Sequence, residues 1–314
     1  MALNMRIGDL PMSLAQVVRA TFDASVPEHF VIMELRLPRA LTGALVGAAL
    51  ALSGAIIQSI ARNPLASPEI LGVTTGASVA VVAGVVVSGT AAGGTSGLLA
   101  SLGIPALALL GGLVGAVIVY ALAWRRGLDG YRLVLVGIGV AAVFTNVKYW
   151  LLTVGDVNDT GKAMVWISGS LNARGWEHVV PVGIALAVLI PLTLLGTRSL
   201  DALRFGDDTV TALGVRMNGA RALMILAAVL LAAVATASAG PIAFVALASP
   251  QIALRMARCA QPPLLSSAIV GAVLATGADL IARTAFSPIE LPVGVVTAVL
   301  GAPYLIYLIW RARK

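Results

Sequence analysis

A succession of long apolar stretches constrains this sequence more than any other feature. They follow a mixed-polarity opening (residues 1–38) and come at about 40–60, 70–89, 98–124, 133–153, 178–196, 220–239, 241–254, 264–282 and 291–310. Most are close to the roughly twenty residues that a helix needs to cross a bilayer. Only 11% of the residues are charged, against about a quarter in soluble domains. The sequence therefore predicts an all-α, polytopic transmembrane helix bundle with nine visible spans.

The seventh apolar stretch is short, and Pro241 and Pro250 interrupt it. Such backbone is tolerated at membrane depth only where protein or a water-filled cavity covers it. Glycines elsewhere are spaced for close helix contact, in the pairs Gly43 with Gly47 and Gly111 with Gly115. These patterns predict a compact bundle that shields one broken span.

The distribution of basic residues orients the bundle. If the broken stretch crosses and the C-terminus lies inside, most of the 21 lysines and arginines fall on the cytoplasmic side. Residues 1–39 then form an extracytoplasmic N-terminal segment, and residues 40–314 form the transmembrane domain. The polar segment 198–221 lies in the cytoplasm. No apolar h-region follows the start, so the sequence shows no signal peptide.

Segment 198–221 has the features of a short folded element. The Asp207 carboxylate can cap a helix, and Gly214 occupies a position suited to a left-handed helix stop. The helix between them is too short to be stable alone in water. We expect it to rest on a cytoplasmic partner and to transmit force to the membrane domain. The alternative is a basic loop that only sets topology.

A second cytoplasmic motif lies between the first two spans. Ser67 is placed as an N-cap, Pro68 as the first helical residue, and Glu69 as a partner of the helix dipole. The turn is predicted to seat a partner from the inside, or to be simply a tight helix-to-helix connection. Its first residues are Arg62, Asn63 and Pro64.

Three of the arginines on the predicted outer side are candidate functional residues. Arg36 and Arg39 flank a proline and are expected to form an exposed, rigid cationic pair suited to carboxylates, or else to anchor the span by snorkelling. Arg283 follows Asp279 by four residues, so the two side chains share a helix face and can pair. An acid inside a span indicates function, although a structural ion pair explains it equally well.

The outer stretch 154–177 combines polar and aromatic residues. It forms either a gate at the mouth of a pathway or an ordinary interfacial loop with an aromatic belt. The candidate gate residues are Trp166, Ser168, Ser170 and Asn172.

The sequence contains few residues in arrangements that are suited to catalysis. The two histidines, His29 and His178, lie far apart in polar stretches, and Cys259 is the single cysteine. No serine–histidine or paired-aspartate arrangement falls within the spans, and no P-loop motif is present. We expect no catalytic residue, metal site or cofactor, and ATP hydrolysis must occur in another chain. The net charge of +7 reflects membrane topology and does not indicate nucleic-acid binding.

Several long motifs, in order, resemble the FecCD family, the permeases of ABC importers for iron–siderophore complexes, ferric dicitrate, haem and cobalamin. The motifs are ELRLPR (34–39), GAALALSGAIIQSIARNPLASPEILGVTTGA (47–77), WISGSL (166–171), LRFGDDTVTALGV (203–215), GPIAFVALASP (240–250), ADLIAR (278–283) and ELPVGVVTAVLGAP (290–303). The match runs from about Arg36 to the C-terminus. The motif sequences look closest to those of the ferric-dicitrate permease.

The resemblance implies a type II ABC importer permease in the cytoplasmic membrane. Its partners would be a second copy or paralogue, two cytoplasmic ATP-binding subunits, an extracytoplasmic substrate-binding protein and membrane lipid. The resemblance assigns Arg36, Arg39 and Arg283 to docking of the binding protein. It assigns coupling to the ATPases to Leu203, Gly206, Asp207, Asp208, Leu213 and Gly214.

Two features depart from the family pattern. Members usually have ten spans, so either the start is truncated or misassigned, or a first helix has been lost. Ala246 and Gln251 replace the glycine and histidine that are usual near the broken span. These departures leave the fold prediction intact and question contacts made by that histidine.

The predicted function is the ATP-driven import of ferric-siderophore or ferric-dicitrate complexes. Cobalamin or haem is the alternative cargo. An ion-driven secondary transporter ranks lower, because only one broken span and one intramembrane acid are visible. A silent membrane scaffold is the remaining alternative.

Overall fold

The computed structural model describes residues 2–8, 12–90, 98–125, 130–202, 217–286 and 288–312. Its helices are α1 (Ala2–Arg6), α2 (Leu14–Phe22), α3 (Glu28–Phe30), α4 (Leu37–Ala61), α5 (Val73–Thr90), α6 (Leu98–Ala123), α7 (Gly130–Val154), α8 (Val157–Ile167), α9 (Trp176–Leu195), α10 (Thr197–Ala202), α11 (Met217–Ala239), α12 (Val245–Ala257), α13 (Leu264–Thr284) and α14 (Val293–Ala312). The prediction of an all-α bundle is confirmed, because each predicted apolar stretch contains one helix.

Within the described ranges, six helices are long and apolar enough to cross a membrane. They are Glu28–Ala61, Gly103–Ala123, Gly130–Val154, Trp176–Leu195, Gly219–Ala239 and Leu264–Thr284. Two shorter apolar helices accompany them, at Val73–Val86 and Val293–Tyr307. Helix α12 has 13 residues, which is too short for an independent span.

The first long helix begins well before its apolar stretch. It starts at Glu28 and reaches α4 through a π-helical segment, Val31–Arg36. A capping box at Ser13 starts α2, and the buried side chains of Val17 and Ala20 pack near Ile32. Residues 12–36 therefore form a small helical layer on the end of the bundle where the N-terminus lies.

Helix α4 forms the centre of the bundle. It packs against α9, α11, α12 and α13, and 78% of its most apolar window is buried. A methyl group at Gly47 would overlap the carbonyl oxygen of Gly271, so α4 and α13 touch through their backbones. Gly111 and Gly115 make the same kind of contact with Gly76 and Gly72. The predicted role of the glycine pairs in helix contact is confirmed.

The broken span is covered by protein, as its prolines predict. Pro250 has no N–H, so the carbonyl oxygen of Ala246 loses its partner one turn earlier within α12. That oxygen lies against Gly54 of α4, where no side chain intervenes. The side-chain amide of Gln58 donates to the carbonyl oxygen of Leu247 at 3.1 Å. Helix α4 thus covers the carbonyl group that the proline frees and the one next to it.

The connections between the long helices collect at two ends of the bundle. We call the end with residues 34–39, 155–175, 240–244 and 285–292 the outer end, following the orientation that the basic residues predict. The inner end holds residues 62–72, 196–202 and 258–263. Successive long helices run in opposite directions, so the connections between them alternate between the two ends. Connections that contact each other lie at the same end.

Candidate functional site

An arginine–carboxylate cluster occupies the outer end, where α4, α13 and the start of α14 meet. Arg39 donates to Oδ1 of Asp279 through Nε at 3.1 Å and through Nη2 at 2.9 Å. Its Nη1 reaches Oε2 of Glu290 at 3.1 Å. Asp279 is 2% exposed. Arg39 therefore neutralises a buried carboxylate and links it to a more accessible one.

The N-terminal segment holds the other two predicted docking arginines. Arg283 donates to the backbone oxygen of Asn4 at 2.6 Å, and Arg36 donates to that of Met5 at 2.6 Å. The buried Asn4 side chain is in turn tied to the carbonyl oxygen of Thr276 on α13 at 3.1 Å. Residues 2–8 thus position both guanidinium groups from above the bundle.

The expectation of an exposed cationic pair is wrong. Arg36 is 8% exposed as a residue, and the side chain of Arg39 is 13% exposed. The predicted pairing of Asp279 with Arg283 is present but loose, with Nε and Oδ2 3.9 Å apart. Asp279 pairs more closely with Arg39 than with Arg283. The sequence did not predict this pair, because nothing in the local spacing links positions 39 and 279.

The cluster opens into a cavity of about 610 Å³. Its charged lining is nearly balanced, with four arginines and three glutamates. They are Arg36, Arg39, Arg174 and Arg283 with Glu34, Glu177 and Glu290. A carboxylate arriving from outside would therefore exchange with acids already in place. Glu290 could have been suspected from sequence, because it is the only acid after Arg283.

The predicted gate residues lie in three different places. Trp166 is buried against Ala77, Val81, Ala108 and Ala237. Ser168 and Ser170 belong to a backbone junction described next, whereas Asn172 lines the outer cavity. The structure does not bring the four side chains together around one opening in this chain.

The outer junction is made by the backbones of segments 168–170, 239–241 and 292–294. The N–H of Ser170 donates to the carbonyl oxygen of Ala239 at 2.9 Å, and that of Gly294 to Gly169 at 3.1 Å. Gly169 and Gly240 have φ values of +69° and +74°, which glycine adopts at little cost. Their missing side chains let three chain segments meet at the outer end.

The inner turn keeps its predicted position but differs in detail. Arg62 ends α4 in the left-handed conformation, with φ 50°, and Oδ1 of Asn63 accepts from the N–H of Leu65 at 2.9 Å. Ser67 precedes the turn Pro68–Leu71, yet its side chain makes no capping hydrogen bond. The turn is a 3-10 helix, too short for the α-helical cap that the sequence suggested.

A cavity of about 360 Å³ separates this turn from the segment that follows α12. Gln251 lines it and donates to Oε1 of Gln58 at 2.7 Å. Arg62, Asn63 and Pro64 share the lining. The departure at Gln251 is therefore absorbed by an amide pair between α12 and α4, and the departure at Ala246 lies at the Gly54 contact. Sequence reasoning did not identify Gln58, although a glutamine deep in an apolar stretch is an available signal.

The residues assigned to ATPase coupling (Leu203, Gly206, Asp207, Asp208, Leu213 and Gly214) lie outside the described residues. The described part of that connection is α10. Leu200 of α10 is 4% exposed and joins the main core. The side chain of Gln261 donates to the carbonyl oxygen of Leu200 at 3.4 Å. The start of the predicted coupling loop is therefore anchored in the bundle.

Stability is expected to depend on pH through Glu69, which lies between spans. Burial raises its pKa to about 7 from an ordinary value of 4.5. Between these values the folded chain keeps a proton that the unfolded chain releases, so the free energy of unfolding falls as the pH rises. The side chain keeps some exposure, so the total change should stay below about 3 kcal/mol.

The melting temperature of the purified protein in detergent at pH 5 and pH 8 tests this expectation. The wild type should lose more stability between the two pH values than the Glu69→Gln variant, whose side chain does not titrate. Equal losses in both proteins would contradict the assignment to Glu69.

The fold is that of a membrane permease of the ABC type. The model of the FecCD transport family matches residues 1–311, and the chain belongs to this family. A solved metal-chelate type ABC transporter, described as inward-facing, superposes with a TM-score of 0.79 at 28% identity, covering 98% of this chain and 94% of that one.

Two relatives show how the chain stands within the family. The ferric enterobactin transport system permease protein FepG of Escherichia coli (strain K12) is 42% identical over 99% of this chain and 92% of its own length. The Fe(3+) dicitrate transport system permease protein FecD of the same organism is 36% identical over 99% and 94%. The chain therefore resembles the enterobactin permease more than the dicitrate permease, to which its motifs looked closest. Like its relatives, it is a multi-pass protein of the inner membrane.

Proposed function

We propose that this chain is one of two permease subunits that import a ferric chelate across the cytoplasmic membrane. Two ATP-binding subunits drive the cycle from inside, and a substrate-binding protein delivers the chelate from outside. The observation that carries the proposal is the match of the family model along nearly the whole chain. Ferric chelates are favoured as cargo because both relatives compared above are named for them.

The outer arginine–carboxylate cluster is the proposed docking site for the binding protein. Arg39 shares one guanidinium group between the buried Asp279 and the more accessible Glu290. A carboxylate of the binding protein can replace Glu290 while Asp279 keeps its ion pair with Arg39. Docking by exchange keeps Arg39 paired with a carboxylate throughout, whereas binding to three bare arginines would leave them mutually repelling when empty.

Segment 198–221 is the proposed coupling element at the inner end. Leu200 fixes its start against α4, α9 and α11. Movement imposed by the ATP-binding subunits on this segment would reach α4, which packs against four other helices. Spans would then tilt and open the pathway inward. A gate at the outer end remains part of the proposal, with Trp166, Ser168, Ser170 and Asn172 as its residues.

Uptake of iron-55-labelled ferric chelates by cells carrying the intact operon tests the cargo and the coupling together. Asp207→Lys should reduce uptake to background and should uncouple or release the ATP-binding subunits, because it reverses a charge in the proposed contact. Arg258→Glu, which reverses a charge at an exposed inner-end site outside this segment, is the control and should keep the complex intact upon purification. Normal uptake by Asp207→Lys would disprove the coupling role.

The same experiment decides between cargo classes. If the intact system accumulates no ferric chelate, cobalamin or haem becomes the first candidate. Uptake that continues after cellular ATP hydrolysis has been blocked would instead favour an ion-driven transporter.

A further inference from the structure

Arg174 is an arginine of the outer cavity that the proposed function does not use. It belongs to segment 172–175, which connects α8 to α9 and lines the cavity. Arg39 and Arg283 line the same cavity from α4 and α13. The cavity therefore receives a guanidinium group from a connection as well as from the long helices.

The acceptors that Arg174 contacts are uncharged. Its Nε donates to the carbonyl oxygen of Ser170 at 3.3 Å, and its Nη1 donates to Nε2 of His178 at 2.8 Å. A guanidinium group can only donate, so the His178 ring accepts at Nε2 and is neutral in this contact. Among the residues that the structure describes, Arg174 makes no ion pair, whereas Arg39 makes two.

One edge of the Arg174 guanidinium group remains available. Its Nη2 has no hydrogen-bond partner in the described part of the chain, and it is not one of the buried atoms that lack a partner. Arginine presents five N–H donors in a planar fork. A carboxylate that enters the cavity can therefore pair with Nη2 while Nε and Nη1 keep their present partners.

The segment that carries Arg174 is tied to its surroundings. Nε1 of Trp176 donates to the carbonyl oxygen of Met33 at 3.1 Å, which links the segment to the start of the first long helix. Ala173 has a φ of +53°, a left-handed conformation that a residue with a side chain adopts at a cost. Strained residues of this kind cluster at sites that contact ligands. The segment thus presents its cation from a defined position.

A purely structural role explains the two hydrogen bonds of Arg174 but not its charge. Burial disfavours the charged guanidinium group and lowers the pKa of Arg174, and the attraction of Glu177 offsets this only in part. A neutral side-chain amide could donate to Ser170 and His178 without that cost. A cation without an ion pair in the lining of a cavity suits a site that receives an anion.

We propose that Arg174 is a second docking contact for the substrate-binding protein and pairs with a carboxylate other than the one that exchanges at Arg39. The inference rests on the proposed function and adds the chemistry of the partner surface, which presents two acidic side chains to this chain. A ferric chelate with several negative charges would meet the three glutamates of the lining together. A single acidic side chain is therefore the better occupant.

The affinity of the complete transporter in lipid nanodiscs for the binding protein of the same operon tests the assignment. The Kd is measured by biolayer interferometry. The variants are Arg174→Gln, which keeps two N–H donors and removes the charge, and Arg174→Lys, which keeps the charge. Lys162→Gln on α8, where the side chain is 73% exposed, is the control for the loss of one positive charge at the outer end.

Arg174→Gln should raise the Kd about tenfold, as expected for the loss of one hydrogen bond between charged groups. Arg174→Lys should lose less affinity, and Lys162→Gln should match the wild type. Exposed acids of the binding protein are also changed to amides one at a time. One such change should weaken binding to the wild type and leave binding to Arg174→Gln unchanged, because that pair is already broken.

Glu177→Gln provides a second measurement, which leaves Arg174 in place. The Glu177 side chain is 69% exposed and lines the same cavity. It attracts Arg174 and repels an incoming carboxylate, so its neutralisation should lower the Kd about two- to threefold.

Several outcomes would overturn the inference. They are an unchanged Kd in Arg174→Gln, a raised Kd to which no acid of the binding protein is coupled, and unchanged or weaker binding in Glu177→Gln. Free ferric chelate that binds without the binding protein, and binds less tightly to Arg174→Gln, would assign Arg174 to the cargo instead. Failure of the proposed function is distinguishable, because the wild-type transporter would then neither bind the binding protein nor take up a ferric chelate. In that case the Arg174 contact is rejected with it.

Discussion

Replacing Arg39 with methionine is expected to destabilise the chain strongly. The substitution leaves Asp279, which is 2% exposed, with only the 3.9 Å contact to Arg283. Breaking a buried ion pair by removing one partner typically costs about 3–5 kcal/mol. We expect much less folded protein in the membrane and a lower melting temperature in detergent, measured by fluorescence-detected size-exclusion chromatography of a tagged chain.

A double substitution separates the structural role of Arg39 from its proposed docking role. Arg39→Met with Asp279→Leu removes both charges and should restore most of the folded protein, since apolar replacements of a buried pair are often neutral. Affinity for the binding protein should nevertheless stay low, because the docking arginine is absent. Recovery of wild-type affinity in the double variant would show that Arg39 acts only in folding.

An exposed pair provides the matched control for this prediction. Arg19 and Asp23 are likewise an arginine and an aspartate, with Nε and Oδ2 3.6 Å apart. The Arg19 side chain, however, is 71% exposed. Exposed pairs contribute about 0–1 kcal/mol, so Arg19→Met should leave the yield and melting temperature nearly unchanged. A fall as large as that of Arg39→Met would mean that loss of any outer arginine harms the protein.

Gly54→Ala is expected to destabilise the chain strongly, although it adds only one methyl group. The added methyl group would overlap the carbonyl oxygen of Ala246, and a backbone atom in a packed core cannot move aside as a side-chain end does. Overpacking typically costs about 1–3 kcal/mol. Separating α4 from α12 would also stretch the hydrogen bond from Gln58 to Leu247. Folded yield and melting temperature should both fall.

The same substitution at Gly277 shows what alanine does without a clash. No atom lies within 4 Å of the position where its methyl group would be placed. Alanine is favoured over glycine in helices by about 1 kcal/mol, so Gly277→Ala should be neutral or slightly stabilising. If Gly54→Ala behaves in the same way, the close approach of α4 to α12 is not needed for folding.

The sequence predicted most of the fold because helix length and apolar content are local properties. Each predicted apolar stretch contains a helix, and even the broken span was located by Pro241 and Pro250. The start of the first long helix was placed too late. Residues 28–39 are of mixed polarity, and α2 packs against the helix that they begin, which is a tertiary contact that composition does not record.

The outer site was predicted less well than the fold. Residue type and side of the membrane identified Arg36, Arg39 and Arg283, but exposure depends on what the rest of the chain places over them. Asn4 contacts Arg283, which lies 279 positions further along the chain, and Glu290 lies 251 positions after its partner Arg39. No periodic pattern links such distant positions, so the burial and the near-neutrality of the cluster became visible only in three dimensions.

The π-helical segment Val31–Arg36 joins the N-terminal helices to the bundle. Its turn holds one residue more than a turn of an α-helix. Deleting a single residue there would let an ordinary α-helix run from Glu28 into α4. Everything before the deletion would rotate by about 100° around the helix axis and shift by about 1.5 Å. Asn4 and Met5 would then leave Arg283 and Arg36, while the spans stayed in register. The segment therefore acts as an angular adjustment between two parts of the chain, through which a one-residue change can alter the outer surface and leave the membrane core intact.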